Sequence, residues 1–126
     1  MKFLLLAFLL VCAGVSLARR VPRYTDIYDS IDIKTIVANR RLLLPYVLCV
    51  LGEGKCTAPG RELRSHIKEA LETRCAKCTE AQQRGSRLVI AHLINHEPEY
   101  WAKLTAKYDP AGKFAKMYER ELKEQV

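Results

Sequence analysis

The sequence predicts an all-α fold, a compact bundle of five or six helices in a single domain. Three observations support this class. Apolar residues recur at helical spacings, and no alternating strand pattern appears after the first segment. Residues that favour helix N-termini precede most of these segments. The 126 residues, 49% hydrophobic and 28% charged, suit one globular domain and exclude a disordered, low-complexity or multidomain chain.

The first segment, residues 1–18, is predicted to be a secretory signal peptide. Lys2 gives it a positive start, residues 3–11 are all apolar, and Ser16 and Ala18 suit a cleavage site. The alternative, a membrane anchor, needs about 20 apolar residues. Cleavage leaves a single domain at 19–126, which is 108 residues (126 less 18), and lowers the net charge from +7 to +6 because Lys2 is lost. We expect a secreted, extracellular protein whose first dozen residues are loosely attached.

Two predicted helices follow. Asp32 is the expected N-cap of a short helix that contains the segment IKTIV at 33–37. Asn39 is the expected N-cap of a second, apolar helix that ends before Gly52. Pro45 lies inside this second segment, where a proline removes one hydrogen bond and costs about 3 kcal/mol. We therefore expect a kink, or a helix that begins nearer Leu44.

Three or four further helices would complete the bundle. Thr57 begins a third, and Thr79 with Gln82 has the capping-box spacing for a fourth that ends before Pro98. The aromatic segment 98–107 is another candidate, and Asp109 followed by proline suits the start of a last helix. The third helix has an apolar face of Leu63, Ile67, Ala70 and Leu71, and the fourth carries Leu88, Val89, Ile90, Leu93 and Ile94. The residues of the last helix expected to face inward are Phe114, Met117, Tyr118 and Leu122.

Four cysteines remain once Cys12 leaves with the signal, and an even number in a secreted chain indicates two disulfides. Cys75 and Cys78 on one helix face would be roughly 5–6 Å apart, within reach of a disulfide. Cys49 and Cys56 would be about 10 Å apart on a continuous helix, but the glycines between them allow the chain to turn back. Of the three possible pairings, we prefer Cys49–Cys56 and Cys75–Cys78.

The same residues allow chemical alternatives that the spacing disfavours. Cys75-Ala-Lys-Cys78 has the spacing of a redox motif, but that motif normally accompanies a βαβ unit. A four-cysteine zinc site prefers two close CxxC pairs. His92 and His96 are spaced like zinc ligands on a helix but lack the glutamate of a metalloprotease motif. We expect no metal site, no cofactor and no catalytic residue, and therefore no enzyme.

The cysteines have the spacing C-x6-C-x18-C-x2-C over residues 49–78. Around them lie YTD at 24–26, YD at 28–29, NRRLL at 39–43, GKCT at 54–57 and the motif WxxLxxKYDP at 101–110. This pattern, which covers nearly all of the chain after the signal, resembles the insect chemosensory proteins, the OS-D-like family of pheromone- and odorant-binding type. The resemblance implies six helices around an apolar ligand tunnel, with disulfides between neighbouring cysteines.

The resemblance also implies a function, that of a soluble carrier of fatty acids, long-chain alcohols or esters, pheromones or other semiochemicals, in chemosensation or lipid transport. Its partners would be the ligand and a membrane receptor at delivery, and the carrier would be a monomer. The implied ligand-binding residues are Tyr28, Ile33, Val37, Tyr46, Leu63, Ile67, Leu71, Val89, Ile90, Leu93, Phe114 and Tyr118. Tyr28 and Tyr118 match aromatic positions near the tunnel mouth. The chain departs from the family pattern at Pro45, beside Tyr46, and at Phe114, where relatives can have tryptophan.

Helical periodicity alone predicts a closed apolar core, and two other functions compete with that of a carrier. The charge of +6 allows a cationic, disulfide-bonded host-defence or membrane-active protein, yet the basic residues are scattered from 19 to 123 rather than gathered on one helix face. A CxxC thiol oxidoreductase is the other alternative. We expect no nucleic-acid partner, because the protein is secreted and lacks a basic helix face, and no insertion into a membrane.

Overall fold

The structure, a computed structural model, describes residues 22–124, so the predicted signal peptide lies outside the described residues. Within that range the chain forms six helices and no strand, which confirms the predicted all-α class. The helices are α1 (Ile33–Ala38), α2 (Arg40–Leu51), α3 (Ala58–Glu72), α4 (Glu80–His96), α5 (Pro98–Tyr108) and α6 (Lys113–Leu122).

Four helices begin at the N-caps predicted for them. The side-chain oxygens of Asp32 and Asn39 accept hydrogen bonds from first-turn amides of α1 and α2, at 3.2 Å and 3.0 Å. Thr57 does the same for α3 at 3.3 Å. Thr79 and Gln82 form both bonds of a capping box at the start of α4, at 3.2 Å and 3.1 Å. Each cap satisfies an amide that has no partner within its helix and contributes about 1 kcal/mol.

Pro45 is accommodated inside α2, which begins at Arg40 and continues to Leu51. The expectation of a helix that begins nearer Leu44 is therefore wrong. Pro45 has no N–H to donate to the carbonyl of Arg41, four residues earlier. Both residues are exposed, so water can solvate that carbonyl and the helix need not end there.

The last helix starts later than predicted. Asp109 and Pro110 belong to a turn in which the Gly112 N–H donates to the Asp109 carbonyl at 2.9 Å, and α6 begins only at Lys113. Gly112 has a left-handed backbone, φ 72°, which separates the turn from the helix. The Asp109 carboxylate is buried and accepts from the Ala115 N–H at 2.7 Å. Asp109, the residue predicted to cap this helix, therefore does bind an amide in the first turn of α6, although residues 110–112 separate it from the start of the helix.

Both preferred disulfides are present. Cys49 and Cys56 have their Cα atoms 4.9 Å apart, because Gly52 ends α2 with a left-handed backbone (φ 79°) and reverses the chain. Cys75 and Cys78 have their Cα atoms 5.0 Å apart. This second pair lies in the turn between α3 and α4 rather than on a helix, and Cys75 itself has a left-handed backbone, φ 65°.

A Schellman-type end to α3 explains that turn. The Cys75 N–H donates to the Ala70 carbonyl at 2.8 Å, and the Arg74 N–H donates to the Leu71 carbonyl at 3.4 Å. Arg74 takes the left-handed position that glycine usually occupies, with φ 53°. The side chain of Arg74 is thereby directed by a fixed backbone turn rather than by a helix.

Candidate ligand-binding interior

The bundle is tightly packed on one side and loosely packed on the other. On the tight side, α2, α5 and the C-terminal half of α4 supply most of the buried apolar cluster, which includes Leu43, Val47, Val50, Leu51, Leu93, Ile94, Trp101 and Leu104. On the loose side, α1 has no buried residue, α3 has only Gly60, and the first half of α4 has only Gly85. The apolar side chains of these three segments are half-buried or exposed, so their inner faces are incompletely covered.

The twelve residues expected to bind ligand lie on both the tightly packed and the loosely packed side of the bundle. Leu93 and Tyr118 are buried, and Leu63 is exposed over 46% of its surface. Nine are half-buried: Tyr28, Ile33, Val37, Tyr46, Ile67, Leu71, Val89, Ile90 and Phe114. Eight of the twelve belong to one apolar cluster, either as buried members or packed against them: Val37, Ile67, Leu71, Val89, Ile90, Leu93, Phe114 and Tyr118.

Two glycines set how closely the loose helices approach their neighbours. A methyl group at Gly85 would lie 3.2 Å from the Cγ1 atom of Ile33, so the glycine allows α1 to lie against α4. A methyl group at Gly60 would lie 3.1 Å from the Cys49 sulfur and 3.8 Å from the ring of Tyr46. Close approach at these two points brings Ile33 and Tyr46, which are outside the apolar cluster, next to the bundle.

A cavity of about 150 Å³ opens between α4, α6 and the turn that precedes α4. Ile90 and Tyr118 are the two predicted ligand-binding residues that line it. The other lining residues are Arg74, Cys75, Gln83, Ser86 and Arg87, none of which the sequence singled out as a ligand contact. The cavity therefore joins the apolar cluster on one side to a polar, basic wall on the other.

The basic wall already holds one carboxylate. Glu121 of α6 forms an ion pair with Arg74 at 2.8 Å, where the guanidinium also donates a hydrogen bond, and a longer ion pair with Arg87 at 3.6 Å. The arginine side chains are more than half exposed, at 57% and 56%. The two guanidinium groups come from different elements and converge on a single carboxylate.

Tyr118 places a phenol in this basic environment. The residue is only 8% exposed, it lines the cavity, and its hydroxyl has no hydrogen-bond partner among the described residues. Burial raises the pKa of the Tyr118 phenol, and Glu121 raises it further, whereas Arg74 and Arg87 act in the opposite direction. The hydroxyl is therefore protonated at neutral pH and available as a donor.

Three of the polar residues that line the cavity share one face of α4 with Ile90. Gln83, Ser86, Arg87 and Ile90 are spaced i, i+3, i+4 and i+7 and so form one face of α4. That periodicity is visible in the sequence, but three of its four residues are polar. The contribution of Arg74 had no such signal, because it depends on the turn that ends α3.

The segment before α1 is bound to the corner between α3 and α4, so the expectation of loose attachment is wrong for its described part. The Tyr24 hydroxyl donates to Glu69 at 2.7 Å, and its ring stacks on His66 with centroids 4.0 Å apart. Burial, and then the bond to Glu69, raises the pKa of Tyr24 to about 12. The carboxylate of Asp29 accepts from Thr79 at 2.7 Å, which fixes the neighbouring, half-buried Tyr28 beside the start of α4.

The cysteines considered for redox or zinc chemistry are paired in disulfides, and the two histidines considered as zinc ligands have neighbouring rings on α4. All four cysteines of the described range are in disulfides, and no group of three or more potential metal ligands occurs within residues 22–124. His92 and His96 have ring centroids 5.0 Å apart, and burial followed by repulsion from His96 lowers the pKa of His92. None of the helices in that same range is both long enough and apolar enough to cross a membrane.

Comparison with known proteins identifies relatives along almost the whole chain. Residues 24–116 match the model of the insect pheromone-binding family A10/OS-D. The chain is 44% identical over 122 residues to allergen Tha p 1 of Thaumetopoea pityocampa, an alignment that covers 97% of this chain and 95% of the allergen. It is 41% identical to ejaculatory bulb-specific protein 3 of Drosophila melanogaster over 109 residues, with 86% of each chain covered.

A solved structure has the same architecture. It is described as a chemosensory protein in complex with bromo-dodecanol, is 52% identical, and superimposes with a TM-score of 0.76. The superposition covers 79% of this chain and 99% of the other. These matches agree with the arrangement of helices and disulfides described above.

Proposed function

This chain belongs to the insect pheromone-binding family A10/OS-D, a family of binding proteins, and from that premise we propose that it is a secreted, soluble carrier of small hydrophobic ligands. The proposed ligands are fatty acids and long-chain alcohols or esters, the classes to which pheromones and other semiochemicals often belong. The observation that supports this most is the set of half-buried apolar side chains on α1, α3 and the middle of α4, where Val89 and Ile90 lie. A similar protein with bromo-dodecanol bound supports a long apolar chain as the ligand.

The size of the cavity indicates how a ligand would enter. Sites for drug-sized ligands usually occupy about 300–1,000 Å³, and the cavity beside Tyr118 has about 150 Å³. A long chain therefore requires the loosely packed helices to separate from the apolar cluster. Such a separation exposes little that is fully buried, because α1 and α3 contribute almost no buried residue.

The energetics of this exchange are favourable for a chain of about twelve carbons. Each buried methylene contributes about 0.8 kcal/mol, so a dozen contribute about 10 kcal/mol. Loss of ligand freedom and helix separation oppose binding. An opposing cost of about 4 kcal/mol leaves about 6 kcal/mol, which corresponds to a Kd of tens of micromolar.

We assign the ligand contacts to the twelve residues placed above, with the apolar members around the chain. Tyr28, Tyr46 or Tyr118 is the proposed contact of the head group, since a phenol has an apolar ring and a hydroxyl that donates or accepts. Residues 1–18 are proposed to be removed on secretion, and the carrier is proposed to act as a monomer that delivers its ligand to a membrane receptor. No step of this role makes or breaks a covalent bond, so the protein is proposed not to be an enzyme.

Displacement of a fluorescent fatty-acid probe tests this proposal. We expect the protein without its signal to bind the probe, and alcohols, acids or esters of 12 to 18 carbons to displace it. Dodecanol affinity should change little with salt, because apolar burial is not screened. Failure of every such ligand to displace the probe would refute the carrier, and probe binding that is lost with added salt would favour the membrane-active alternative.

A further inference from the structure

The cavity beside Tyr118 has the components of a site for an anionic head group. Arg74 and Arg87 provide two guanidinium groups, and Tyr118 provides a protonated hydroxyl. Ile90 lines the same cavity and also packs against the apolar cluster. A molecule with its polar end at the arginines would therefore have its apolar end directed at the cluster.

The existing contacts indicate that the polar end is a carboxylate. Arg74 and Arg87 already converge on the carboxylate of Glu121, at 2.8 Å and 3.6 Å. Planar guanidinium groups match the two oxygens of a carboxylate better than the single oxygen of an alcohol. Because Glu121 belongs to α6 and its side chain is 35% exposed, it can turn outward and leave both arginines to another carboxylate.

Tyr118 supplies an independent observation. It is more than nine-tenths buried, and its hydroxyl is unpaired among the described residues although it faces a cavity with charged walls. No buried side-chain oxygen or nitrogen within the described residues lacks a hydrogen-bond partner, so this hydroxyl is accessible to solvent, and a ligand oxygen in the cavity would accept its hydrogen bond in place of water.

We propose that this cavity is the head-group site of the carrier and that it selects long-chain carboxylates over alcohols of the same length. The inference rests on the proposed function and names its preferred ligand class. Arg74, Arg87 and Tyr118 bind the carboxylate, and Glu121 competes with it for the two arginines. An alcohol still binds through its chain but gains only a hydrogen bond at this end.

The test compares dodecanoate with dodecanol at neutral pH in three variants. Arg87→Gln should weaken dodecanoate binding about three- to tenfold, a modest effect because this arginine is largely solvated, and should leave dodecanol within about twofold. Glu121→Gln should strengthen dodecanoate binding by a similar factor, because it removes the competing carboxylate. Arg84→Gln is the matched control, since Arg84 is also on α4, is 72% exposed and does not line the cavity.

The outcomes separate this inference from the function on which it rests. If all variants bind dodecanol and dodecanoate with the affinities of the wild-type protein, the head-group site is overturned and the carrier remains intact. Weaker dodecanoate binding in Glu121→Gln would also overturn it, because a merely structural ion pair predicts a loss. Binding of neither ligand to the wild-type protein would refute both proposals. If a variant fails to fold, the Nε–H resonances of Arg74 and Arg87 in the wild-type protein should shift with dodecanoate, and that of Arg84 should not; equal shifts would contradict the site.

Discussion

The proposed contact between the ligand and Leu63 of α3 can be tested directly, because two leucines of the bundle are similarly exposed but differ in their proposed role. Leu63 of α3 is 46% exposed and is assigned to the ligand, whereas Leu42 of α2 is 44% exposed and is not. A change to alanine removes three carbon atoms in each case. The two variants therefore share the same chemistry and nearly the same burial.

The expected magnitudes follow from those exposures. Three carbons contribute about 2.4 kcal/mol when fully buried, at about 0.8 kcal/mol each. Folding buries just over half of either side chain, so each variant should lose about 1.3 kcal/mol of unfolding free energy. A ligand that covers the rest of Leu63 gains about 1.1 kcal/mol from it, so Leu63→Ala should weaken dodecanol binding about sixfold and Leu42→Ala should not change it.

Urea denaturation of the free protein measures the first quantity, and titration calorimetry with dodecanol measures the second. We expect equal losses of unfolding free energy and unequal affinities for dodecanol. Wild-type affinity in Leu63→Ala would show that the ligand does not cover this side chain. Equal weakening in both variants would show that any loss of packing in the bundle impairs binding, and the assignment of Leu63 would be wrong.

Three further predictions test the contacts that stabilise the fold. Asp109→Ala should lower the unfolding free energy by about 2 kcal/mol and the Tm by about 8–16 °C, because the buried Ala115 N–H loses a charge-assisted bond of 2.7 Å. Asp109→Asn keeps an acceptor and should lose about half as much, and an unchanged Tm of Asp109→Ala in calorimetry would contradict this cap. The pKa of Tyr24, raised to about 12 by burial and by Glu69, means that its contribution to stability is complete below its ordinary pKa of 10 and is lost as the pH rises through 12. Urea midpoints at pH 9 and pH 11.5 should therefore differ more in the wild type than in Tyr24→Phe, and equal differences would refute the bond. Reduction of the two disulfides should lower the unfolding free energy by about 2 kcal/mol each, since both close short loops, and a reduced protein with an unchanged urea midpoint would contradict this.

Much of the fold was predictable because local chemistry determines it. Asp32, Asn39, Thr57 and Thr79 each bind an amide within three residues, so the helix starts depend on short stretches of sequence. The start of α6 was not predictable in this way. Asp109 binds an amide six residues away, and only the geometry of the intervening turn brings the two together.

The candidate site likewise has residues that the sequence predicts and residues that only the tertiary structure brings together. The apolar members, such as Val89 and Leu93, follow from helical periodicity and the family resemblance. The basic wall does not, because Arg74, Arg87 and Glu121 lie on a turn and two helices separated by up to 47 residues, and no local pattern joins them. Half-burial is likewise a property of tertiary packing, so the sequence could not distinguish a closed core from a loosely covered interior.

Mapping of amide resonances during titration with dodecanol tests the central claim most directly. We predict saturable shifts concentrated in α1, α3, α6 and the part of α4 that contains Val89, Ile90 and Leu93, with a ratio of one ligand to one protein. Shifts that are confined to exposed basic residues, or that do not saturate, would contradict an apolar ligand inside the bundle.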